Sequence, residues 1–509
     1  MKRITNVKVP INCDELKIQQ IIAKKARIPN NEIKYYNLVK KSLDARDKSN
    51  IFYTVTADIS NKEQPIIEKE YKQVKTKANV LVVGAGPAGL FCALELARYG
   101  INVTLIERGK CVDERTKSVN LFIKNKILDE DSNIQFGEGG AGAFSDGKLN
   151  SGVGGTLAKE VIEDFVRFGA PKEIAYLNKP HVGSDNLPKV VKNLRNEIIK
   201  LGGKVRFNSK LVDFSIKNNK IESVTINDSI EKYDEVVLAV GHSARDVYNL
   251  VYNKGVKIEA KDFAVGFRIE HLKERINLSQ YGEKYYKLSN MPTADYKLTS
   301  SFNGRGVFTF CMCPGGYVMP SSSQKNTVVV NGMSNFKRNA VNSNSAIIVQ
   351  VRTTDFGDNV FGGINFQKDL EEKAFKLGGE DYSCPVQLVG DYLNNKTSSS
   401  FGDVIPSYPM GVKKVNLNGF LPKGLDMAIQ HAIKDMGKRL VGFDSYDGVL
   451  SAVESRTSSP IRILRNEDLV SVSVDNLYPC GEGCGYAGGI TSAGADGKKV
   501  ANKIVQKYI

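Results

Sequence analysis

The apolar positions between residues 80 and 109 follow the order strand, turn, helix, strand. Val80 to Val83 is a continuous apolar run, which is typical of a strand buried in a parallel sheet. The segment GAGPAG follows at once, then comes an apolar helix, and a second strand ends at Glu107. The pattern predicts a βαβ unit and therefore a chain of the α/β class.

Before this unit, the pattern of residues 1–75 predicts a small α/β module. The predicted elements are a strand over Ile4–Pro10, a helix over Glu15–Ala26, and strands over Glu32–Val39 and Ile51–Ile59. Lys40, Lys41, Arg46 and Lys48 flank the hairpin between the last two strands, where they form either a docking face or a solvated loop. The polar stretch Ser60–Ala78 is predicted to be a linker.

After the βαβ unit the pattern changes twice. A helix over Pro188–Gly202 precedes a meander of short strands and the apolar strand YDEVVLAVG, and residues 255–400 then contain more strands and more Ser and Asn. Gly419–Leu440 has helical spacing, and a final helix is predicted over Ile490–Val505. The predicted domains are an N-terminal module, the first part of a nucleotide-binding domain, an inserted mixed-sheet substrate domain and the second part of the nucleotide-binding domain, at residues 1–75, 76–254, 255–400 and 401–509.

The glycine spacing after Val83 indicates a dinucleotide site. Gly84 allows a tight turn, Gly86 allows the backbone to approach a pyrophosphate, and Gly89 allows the helix to lie close to the strand. Glu107 stands where an acidic residue hydrogen-bonds a ribose hydroxyl. The alternative is a structural turn in another parallel sheet.

Three further glycine-rich segments follow, at residues 136–147, 239–241 and 481–489. Such loops are expected where backbone lies against a ligand. A nicotinamide dehydrogenase needs one such fingerprint, whereas an FAD fold or a two-dinucleotide fold uses several.

Composition adds little to this picture. Hydrophobic residues make up 41% of the chain and charged residues 25%, which is ordinary for a globular protein. The net charge of +15 could attract nucleic acid, anionic lipid or an anionic substrate, but no long basic run with interleaved aromatic residues is present, so a nucleic-acid partner is not favoured. No signal pattern or membrane span is predicted, which indicates a cytoplasmic protein.

Eight cysteines in 509 residues do not form a disulfide framework. The two close pairs, Cys311 with Cys313 and Cys480 with Cys484, lack the spacing of zinc ligands, and no metal is predicted. A redox-active pair at Cys480 and Cys484 is one alternative, and small buried residues beside a cofactor are the other.

Longer motifs carry a resemblance to a known family. FGEGGAGAFSDGKL (136–149), AVGHSARD (239–246), FCMCPGG (310–316), VVNGMS (329–334), SRTSSPIRI (455–463) and YPCGEGCGYAGGITSAGADG (478–497) resemble the family of uncharacterised FAD-dependent dehydrogenases, also described as NAD(P)/FAD-dependent oxidoreductases. The resemblance spans nearly the whole chain. The family belongs to the glutathione-reductase-like FAD superfamily and is distantly similar to geranylgeranyl reductases, electron-transfer flavoprotein dehydrogenases and aminoacetone-oxidase-like flavoproteins.

The resemblance implies a glutathione-reductase-like Rossmann FAD domain and a set of cofactor contacts. The implied contacts are Gly84, Gly86, Pro87, Ala88 and Gly89 to the pyrophosphate, Glu107 and Arg108 to adenosine, Arg115 to phosphate or ribityl oxygens, the backbone of Val212 to adenine, Gly139, Gly140 and Ala141 along the flavin, Gly241 near adenosine, and Gly481, Glu482, Gly488, Gly489 and Ile490 to the ribityl chain and pyrimidine edge. Glu482 stands where most relatives have Asp.

The implied function is an FAD-dependent oxidoreductase that acts on a small or amphipathic organic molecule by hydride transfer, with NAD(P)H as a transient electron donor. Candidates for proton transfer or substrate anchoring are His242, Arg268, Tyr317, Glu482 and Cys484. Their structural alternatives are a helix cap for His242, a surface pair with Glu270 for Arg268 and a core position for Tyr317. Two other functions remain as alternatives: a flavoprotein acting on RNA, and an electron-transfer protein that docks a redox partner through residues 1–75.

Overall fold

The computed structural model describes residues 1–65, 69–149, 155–357 and 359–509. Residues 66–68 of the predicted linker are outside the described residues. The strands, in chain order, are β1 (Lys2–Pro10), β2 (Tyr35–Asp44), β3 (Phe52–Ser60), β4 (Asn79–Val83), β5 (Asn102–Ile106), β6 (Lys204–Arg206), β7 (Leu211–Lys217), β8 (Lys220–Ile226), β9 (Ser229–Glu231), β10 (Glu235–Leu238), β11 (Ile258–Ala260), β12 (Phe263–Leu272), β13 (Thr299–Phe302), β14 (Arg305–Cys313), β15 (Tyr317–Pro320), β16 (Val330–Met333), β17 (Asn342–Val351), β18 (Cys384–Leu388), β19 (Val412–Lys414), β20 (Val449–Glu454), β21 (Ile461–Ile463) and β22 (Leu477–Pro479). The helices are α1 (Glu15–Ala26), α2 (Pro87–Arg98), α3 (Val112–Asn125), α4 (Thr156–Arg167), α5 (Leu187–Lys200), α6 (Arg245–Asn253), α7 (Lys273–Tyr281), α8 (Gly362–Gly378), α9 (Val389–Leu393), α10 (Lys423–Gly437) and α11 (Ile490–Tyr508).

A five-stranded parallel sheet in the order β22-β10-β4-β5-β6 forms the first layer. The predicted βαβ unit is confirmed as β4, α2 and β5. Helices α2 and α11 are in contact and share one apolar core with the sheet. Since β22 and α11 come from the end of the sequence, two distant segments complete the same layer, as the pattern predicted.

A second sheet of seven strands, in the order β13-β14-β17-β12-β20-β18-β19, lies beside the first layer. It is mixed, because β18 and β19 are parallel whereas the other pairs are antiparallel. Helix α10 packs on this sheet through the predicted apolar face that contains Leu425, Ile429, Ile433 and Met436. Strands β19 and β20 follow residue 400, so the predicted limit of the insertion is too early: the sheet runs to Glu454 because β20 pairs with β12 in its centre.

The N-terminal module is a three-stranded antiparallel sheet in the order β1-β3-β2, with α1 against it. Strand β2 begins at Tyr35, later than predicted, because residues 30–32 form a short 3-10 turn after Pro29. The module is attached to the remaining chain by β2, where the Lys41 amide donates to the Tyr176 carbonyl at 2.7 Å and the Lys41 carbonyl accepts from Asn178 at 3.0 Å. Ile11 and Ile51 also enter the core of the seven-stranded sheet.

In the part of the chain that the structure describes, every helix is too short or too polar to traverse a bilayer.

Candidate functional site

The first glycine loop joins β4 to α2 at the carboxyl edge of the parallel sheet. Gly84 has a φ of +102°, and a Cβ on it would lie 2.4 Å from the Ala239 carbonyl oxygen. A Cβ on Gly89 would lie 1.8 Å from the Gly84 carbonyl oxygen. These two glycines are therefore required by the turn and by the close contact of helix and strand, whereas Gly86 has ordinary dihedral angles and lies at the surface of a cavity.

Glu107 ties this loop to the second glycine loop. It follows β5 and is buried, and one carboxylate oxygen accepts the Ala85 amide at 2.8 Å. The other oxygen accepts the amides of Gly109 and Gly137, both at 3.0 Å. The carboxylate also lines the cavity, where it is available to a hydroxyl group of a ligand.

The second glycine loop lies across the first. The Gly139 amide donates to the Ala85 carbonyl at 2.8 Å, and a Cβ on Gly140 would lie 3.0 Å from the Cα of Gly86. Arg115 fixes this loop from behind, because its guanidinium donates to the carbonyl groups of Asn133, Ile134, Gly137 and Glu138.

The third glycine element comes from the end of the sequence. Strand β22 leads into the loop that carries Glu482, and α11 begins after Gly489. The Gly481 amide donates to Asp496 at 2.8 Å, and Asp496 forms an ion pair with Arg465 at 2.7 Å. These contacts fold the loop back on its helix, so that Gly488 and Gly489 lie at the cavity surface.

Two helices begin at this cavity without a capping side chain. The N-cap residues are Gly86 for α2 and Gly489 for α11, and neither supplies a side-chain oxygen to the first turn. The amide groups and the positive end of each helix dipole therefore face the cavity, which suits an anionic or electron-rich ligand.

The cavity extends between the parallel sheet and the seven-stranded sheet and encloses about 1480 Å³ of space, part of it open to solvent. The residues that sequence reasoning assigned to the cofactor and that line it are Gly84, Gly86, Pro87, Ala88, Glu107, Arg108, Gly140, Ala141, Gly241, Glu482, Gly488, Gly489 and Ile490. A Cβ added to Gly241, Gly488 or Gly489 would meet no atom within 4 Å. The surface is thus hollow at the positions where a bound FAD would need space, and the residues present fit that cofactor.

Five predicted cofactor residues are not among those that line the cavity. Gly89 supports the turn, Gly139 bonds to Ala85, and Gly481 bonds to Asp496. Arg115 has its donors engaged by backbone carbonyl groups, so the expected contact with phosphate or ribityl oxygens is not available in this arrangement. Val212 is 44% exposed, and its neighbour Leu211 lines the cavity instead, because side chains alternate along β7.

Of the candidates for proton transfer, His242 and Glu482 line the cavity and lie 4.0 Å apart, from Nε2 to Oε1. Burial and the nearby Arg456 and Arg245 lower the pKa of His242 to about 4, so this imidazole is neutral at pH 7. Burial raises the pKa of Glu482 to about 7. Glu482 is therefore a carboxyl group that can hold or release a proton near neutral pH.

The other three candidates are placed elsewhere. Arg268 is fully buried behind the cavity, where it pairs with Glu454 at 3.3 Å and not with Glu270, so the expected surface pair is wrong. Tyr317 is 36% exposed at the start of β15 and is outside the lining. Cys484 is buried with its Sγ 3.2 Å from the Leu238 carbonyl oxygen, and it too is outside the lining.

Sequence reasoning missed a charged cluster on the cavity wall. Lys148 Nζ lies 3.2 Å from Asp146 and 3.9 Å from the Sγ of Cys313, and Arg338 pairs with Asp146 at 2.9 Å. Lys148, Asp146, Cys311 and Cys313 all line the cavity. The SDGKL and FCMC motifs contained the signal, but nothing in the sequence showed that they meet. Among the described residues, no group of three His, Cys, Asp or Glu side chains is placed to hold a metal ion.

Three protein families match parts of the chain. Residues 78–280 match the pyridine nucleotide-disulphide oxidoreductase family, residues 262–457 match a family described as "FAD-dependent protein, C-terminal domain-like", and residues 1–60 match a domain of unknown function. An uncharacterized protein of Clostridium beijerinckii is 42% identical over 99% of both chains.

Solved flavoprotein structures resemble the fold at low identity. CtdE in complex with FAD has a TM-score of 0.34 and 11% identity and covers 85% of this chain and 84% of its own. L-proline dehydrogenase from P. horikoshii has a TM-score of 0.34 and 13% identity, with coverages of 86% and 95%. The flavin-dependent brominase Bmp2 has a TM-score of 0.37 and 12% identity, with coverages of 84% and 79%.

The match to an FAD-dependent family and the match to an oxidoreductase family agree with the cavity, its glycine loops and its uncapped helices. FAD is the cofactor, and the chain belongs to the family of uncharacterised FAD-dependent oxidoreductases.

Proposed function

We propose that the protein is a glutathione-reductase-like flavoenzyme that transfers a hydride between FAD and a small organic substrate. Bound FAD supplies the two-electron chemistry, and the protein supplies orientation, charge and exclusion of water. The observation that carries the proposal is that three glycine elements, at residues 84–89, 136–148 and 481–489, line one cavity together with two uncapped helix starts.

The proposed orientation places adenosine beside Glu107 and Arg108. Glu107 would accept from the ribose, and the Arg108 guanidinium, which lies 4.4 Å from the centre of the Phe136 ring, would border the adenine. The pyrophosphate would lie at Gly86 and the start of α2. The flavin end would then lie toward Gly488 and Ile490, where the start of α11 would stabilise negative charge on a reduced ring.

Side chains at the flavin end would control protons. His242 Nδ1 lies 3.0 Å from the Ser243 hydroxyl. With the imidazole proton on Nδ1, directed at that hydroxyl, Nε2 would accept a hydrogen bond and could not donate one. Glu482, with its pKa raised to about 7, would hold a proton at acid pH and lose it above neutrality. We therefore propose Glu482 as the group that exchanges a proton with substrate or solvent during turnover.

Anaerobic reduction of the FAD-loaded protein tests this function. NADH and NADPH are mixed separately with the holoenzyme, and bleaching of the flavin absorbance is followed. Bleaching by either nucleotide at a rate that saturates with its concentration supports the hydride-transfer role and identifies the donor. If dithionite bleaches the flavin but neither NADH nor NADPH reduces it, nicotinamide nucleotides are not electron donors of this protein. If an added organic acceptor reoxidises the reduced flavin faster than buffer alone does, that acceptor represents the class of substrate that the enzyme reduces.

A further inference from the structure

The two faces of the seven-stranded sheet differ in what covers them. Side chains such as Val265, Phe267 and Ile347 point into the large core beneath α10. On the opposite face Ala264, Ala346 and Ile348 form a small separate cluster, with Phe308 and Phe310 half-buried against it. This second face therefore presents apolar surface that the chain only partly covers.

A cleft lies on this second face. Gly306, Phe308 and Phe310 follow one another at every second position of β14, so they point to the same side. Ile348 comes from β17, which pairs with β14, and Ala264 comes from β12, the strand beyond β17. A Cβ added to Gly306 would meet no atom within 4 Å. The floor of the cleft is thus apolar, and at Gly306 it is open.

The cleft is continuous with the cofactor cavity. Phe310, Thr457 and Gly488 line both of them. Gly488 precedes the start of α11 by two residues. In the proposed orientation, this part of the cavity holds the flavin, away from the adenosine residues Glu107 and Arg108. A molecule in the cleft would therefore meet the flavin end of the cofactor.

The polar side chains of Thr457, Gln350 and Asp262 in the cleft are already paired. The Thr457 hydroxyl donates to the Ala264 carbonyl at 2.7 Å, and Gln350 donates to Asp262 at 3.3 Å. Asp262 also accepts the Thr353 amide at 2.9 Å and is the one charged residue among the described residues that line the cleft. No cation among these lining residues would offset a negative charge on a ligand, whereas burial of apolar surface would stabilise a neutral one.

We propose that this cleft is the substrate site and that it takes an uncharged, largely apolar organic molecule with an aromatic or extended hydrocarbon frame. The inference rests on the proposed function, since it uses the flavin end of the cavity to identify the cleft's role. It names the substrate class, which the glycine loops and the charged cluster do not.

Two fluorescent probes with the same aryl frame test the inference on the FAD-loaded protein. N-phenyl-1-naphthylamine is neutral, and 8-anilinonaphthalene-1-sulfonate carries a negative charge. We expect the neutral probe to bind and to shift the flavin absorbance band, and the anionic probe to bind at least about tenfold more weakly. Equal binding of both probes, or binding of the neutral probe without a change in the flavin band, would overturn the proposal.

Matched variants locate the probe. Gly306→Leu fills the open floor of the cleft, whereas Gly424→Leu adds the same side chain at an exposed position of α10 where a Cβ also meets no atom within 4 Å. We expect Gly306→Leu to weaken binding of the neutral probe about tenfold and Gly424→Leu to leave its affinity unchanged. Phe308→Ala removes atoms and cannot clash with the probe. It is also expected to weaken binding of the neutral probe. Unchanged binding in both cleft variants would overturn the assignment.

Failure of the proposed function has a different signature. In one outcome, the holoenzyme reacts with no nucleotide or organic acceptor, but the neutral probe still binds, shifts the flavin band and is lost in Gly306→Leu. That outcome would contradict hydride transfer and support the cleft assignment. A holoenzyme that reacts with nucleotides but does not bind the neutral probe would contradict the cleft alone.

Discussion

The parallel sheet and the seven-stranded sheet build their shares of the cavity in different ways. On the parallel sheet the lining includes glycines that expose backbone, as at Gly84, Gly86 and Gly489. On the seven-stranded sheet the lining consists of side chains such as Phe310, Cys313 and Glu454. A backbone surface suits a cofactor whose shape is constant, whereas a side-chain surface can differ between relatives. On the proposed function, we expect the first sheet to set cofactor identity and the second to set substrate choice.

The strongest test breaks the ionic cluster that joins the two regions. Glu371 of α8 is fully buried and accepts from Arg245 at 2.9 Å and from Arg456 at 2.8 Å. Burial opposes ionisation of this carboxyl group, but the two arginines outweigh it and hold the pKa of Glu371 well below its usual range. We expect Glu371→Gln to lower the free energy of unfolding by about 3–5 kcal/mol, because two buried cations lose their counter-charge.

Urea titration at pH 7 measures this loss. Glu372→Gln, on the same helix but with a partly exposed side chain, is the control and is expected to change stability by less than about 0.5 kcal/mol. Equal stability of the two variants would show that the regions are joined by apolar contacts alone.

The next test concerns proton binding at the C-terminal loop. Because the pKa of Glu482 is raised from 4.5 to about 7, the folded protein binds this proton more tightly than the unfolded chain does. The apo protein should therefore lose stability as the pH rises from about 4.5 to about 7, by on the order of 1–3 kcal/mol, and Glu482→Gln should lack that part of the loss.

Thermal and urea unfolding of the apo protein at pH 5 and pH 8 would measure this difference. Glu467→Gln, at an exposed position nearby, should keep the wild-type pH dependence. If Glu482→Gln keeps it too, Glu482 ionises normally and the proposed proton exchange loses its basis.

A third test separates cofactor binding from folding within the first glycine loop. A Cβ on Gly86 would lie 3.8 Å from the Cα of Gly140, which is ordinary contact, but it would occupy the cofactor's side of the loop. We expect Gly86→Ala to raise the Kd for FAD at least about tenfold, equivalent to ~1.4 kcal/mol, while the apo protein keeps its melting temperature.

Titration of the apo variant with FAD, followed by flavin fluorescence, gives the Kd. Gly89→Ala is the contrasting variant, because its Cβ would lie 1.8 Å from the Gly84 carbonyl oxygen and should destabilise the apo protein itself. Unaltered FAD affinity in Gly86→Ala would mean that the backbone of this loop does not face the cofactor.

The smallest expected effect concerns the edge of the cavity. Val212→Ala should change FAD affinity by less than about twofold and stability by less than about 0.5 kcal/mol, since Val212 is 44% exposed and outside the lining. Leu211→Ala, at a buried lining position, should weaken FAD binding more. The reverse order in the same fluorescence titration would show that the Val212 side chain, and not that of Leu211, contacts the cofactor.

The backbone-built region was the more predictable one. Glycines 84, 86 and 89 and Glu107 lie within one short segment, so their spacing alone predicts how they meet. Helix α11 was also predicted, because its helical pattern follows the glycine-rich segment at residues 481–489.

The side-chain-built region could not be predicted in the same way. The pairing of Arg338 with Asp146 joins residues 192 positions apart, and no periodicity encodes such a distance. Arg115 shows the limit within the first region: its partners are carbonyl groups of a loop, which any sequence supplies, so its role depends on how that loop is folded. The length of the insertion was underestimated for a related reason, since β20 enters the centre of a sheet whose other strands precede it.

The order of the strands in the parallel sheet has a consequence for synthesis. Gly84 leaves the ribosome long before Gly489, yet both form the same surface. A nascent chain that ends before β22 lacks the third glycine element and has an unpaired edge on β10, which is a surface prone to association. We therefore expect FAD to stabilise most strongly the chains in which translation has passed the start of α11, because only these present all three glycine elements to the cofactor.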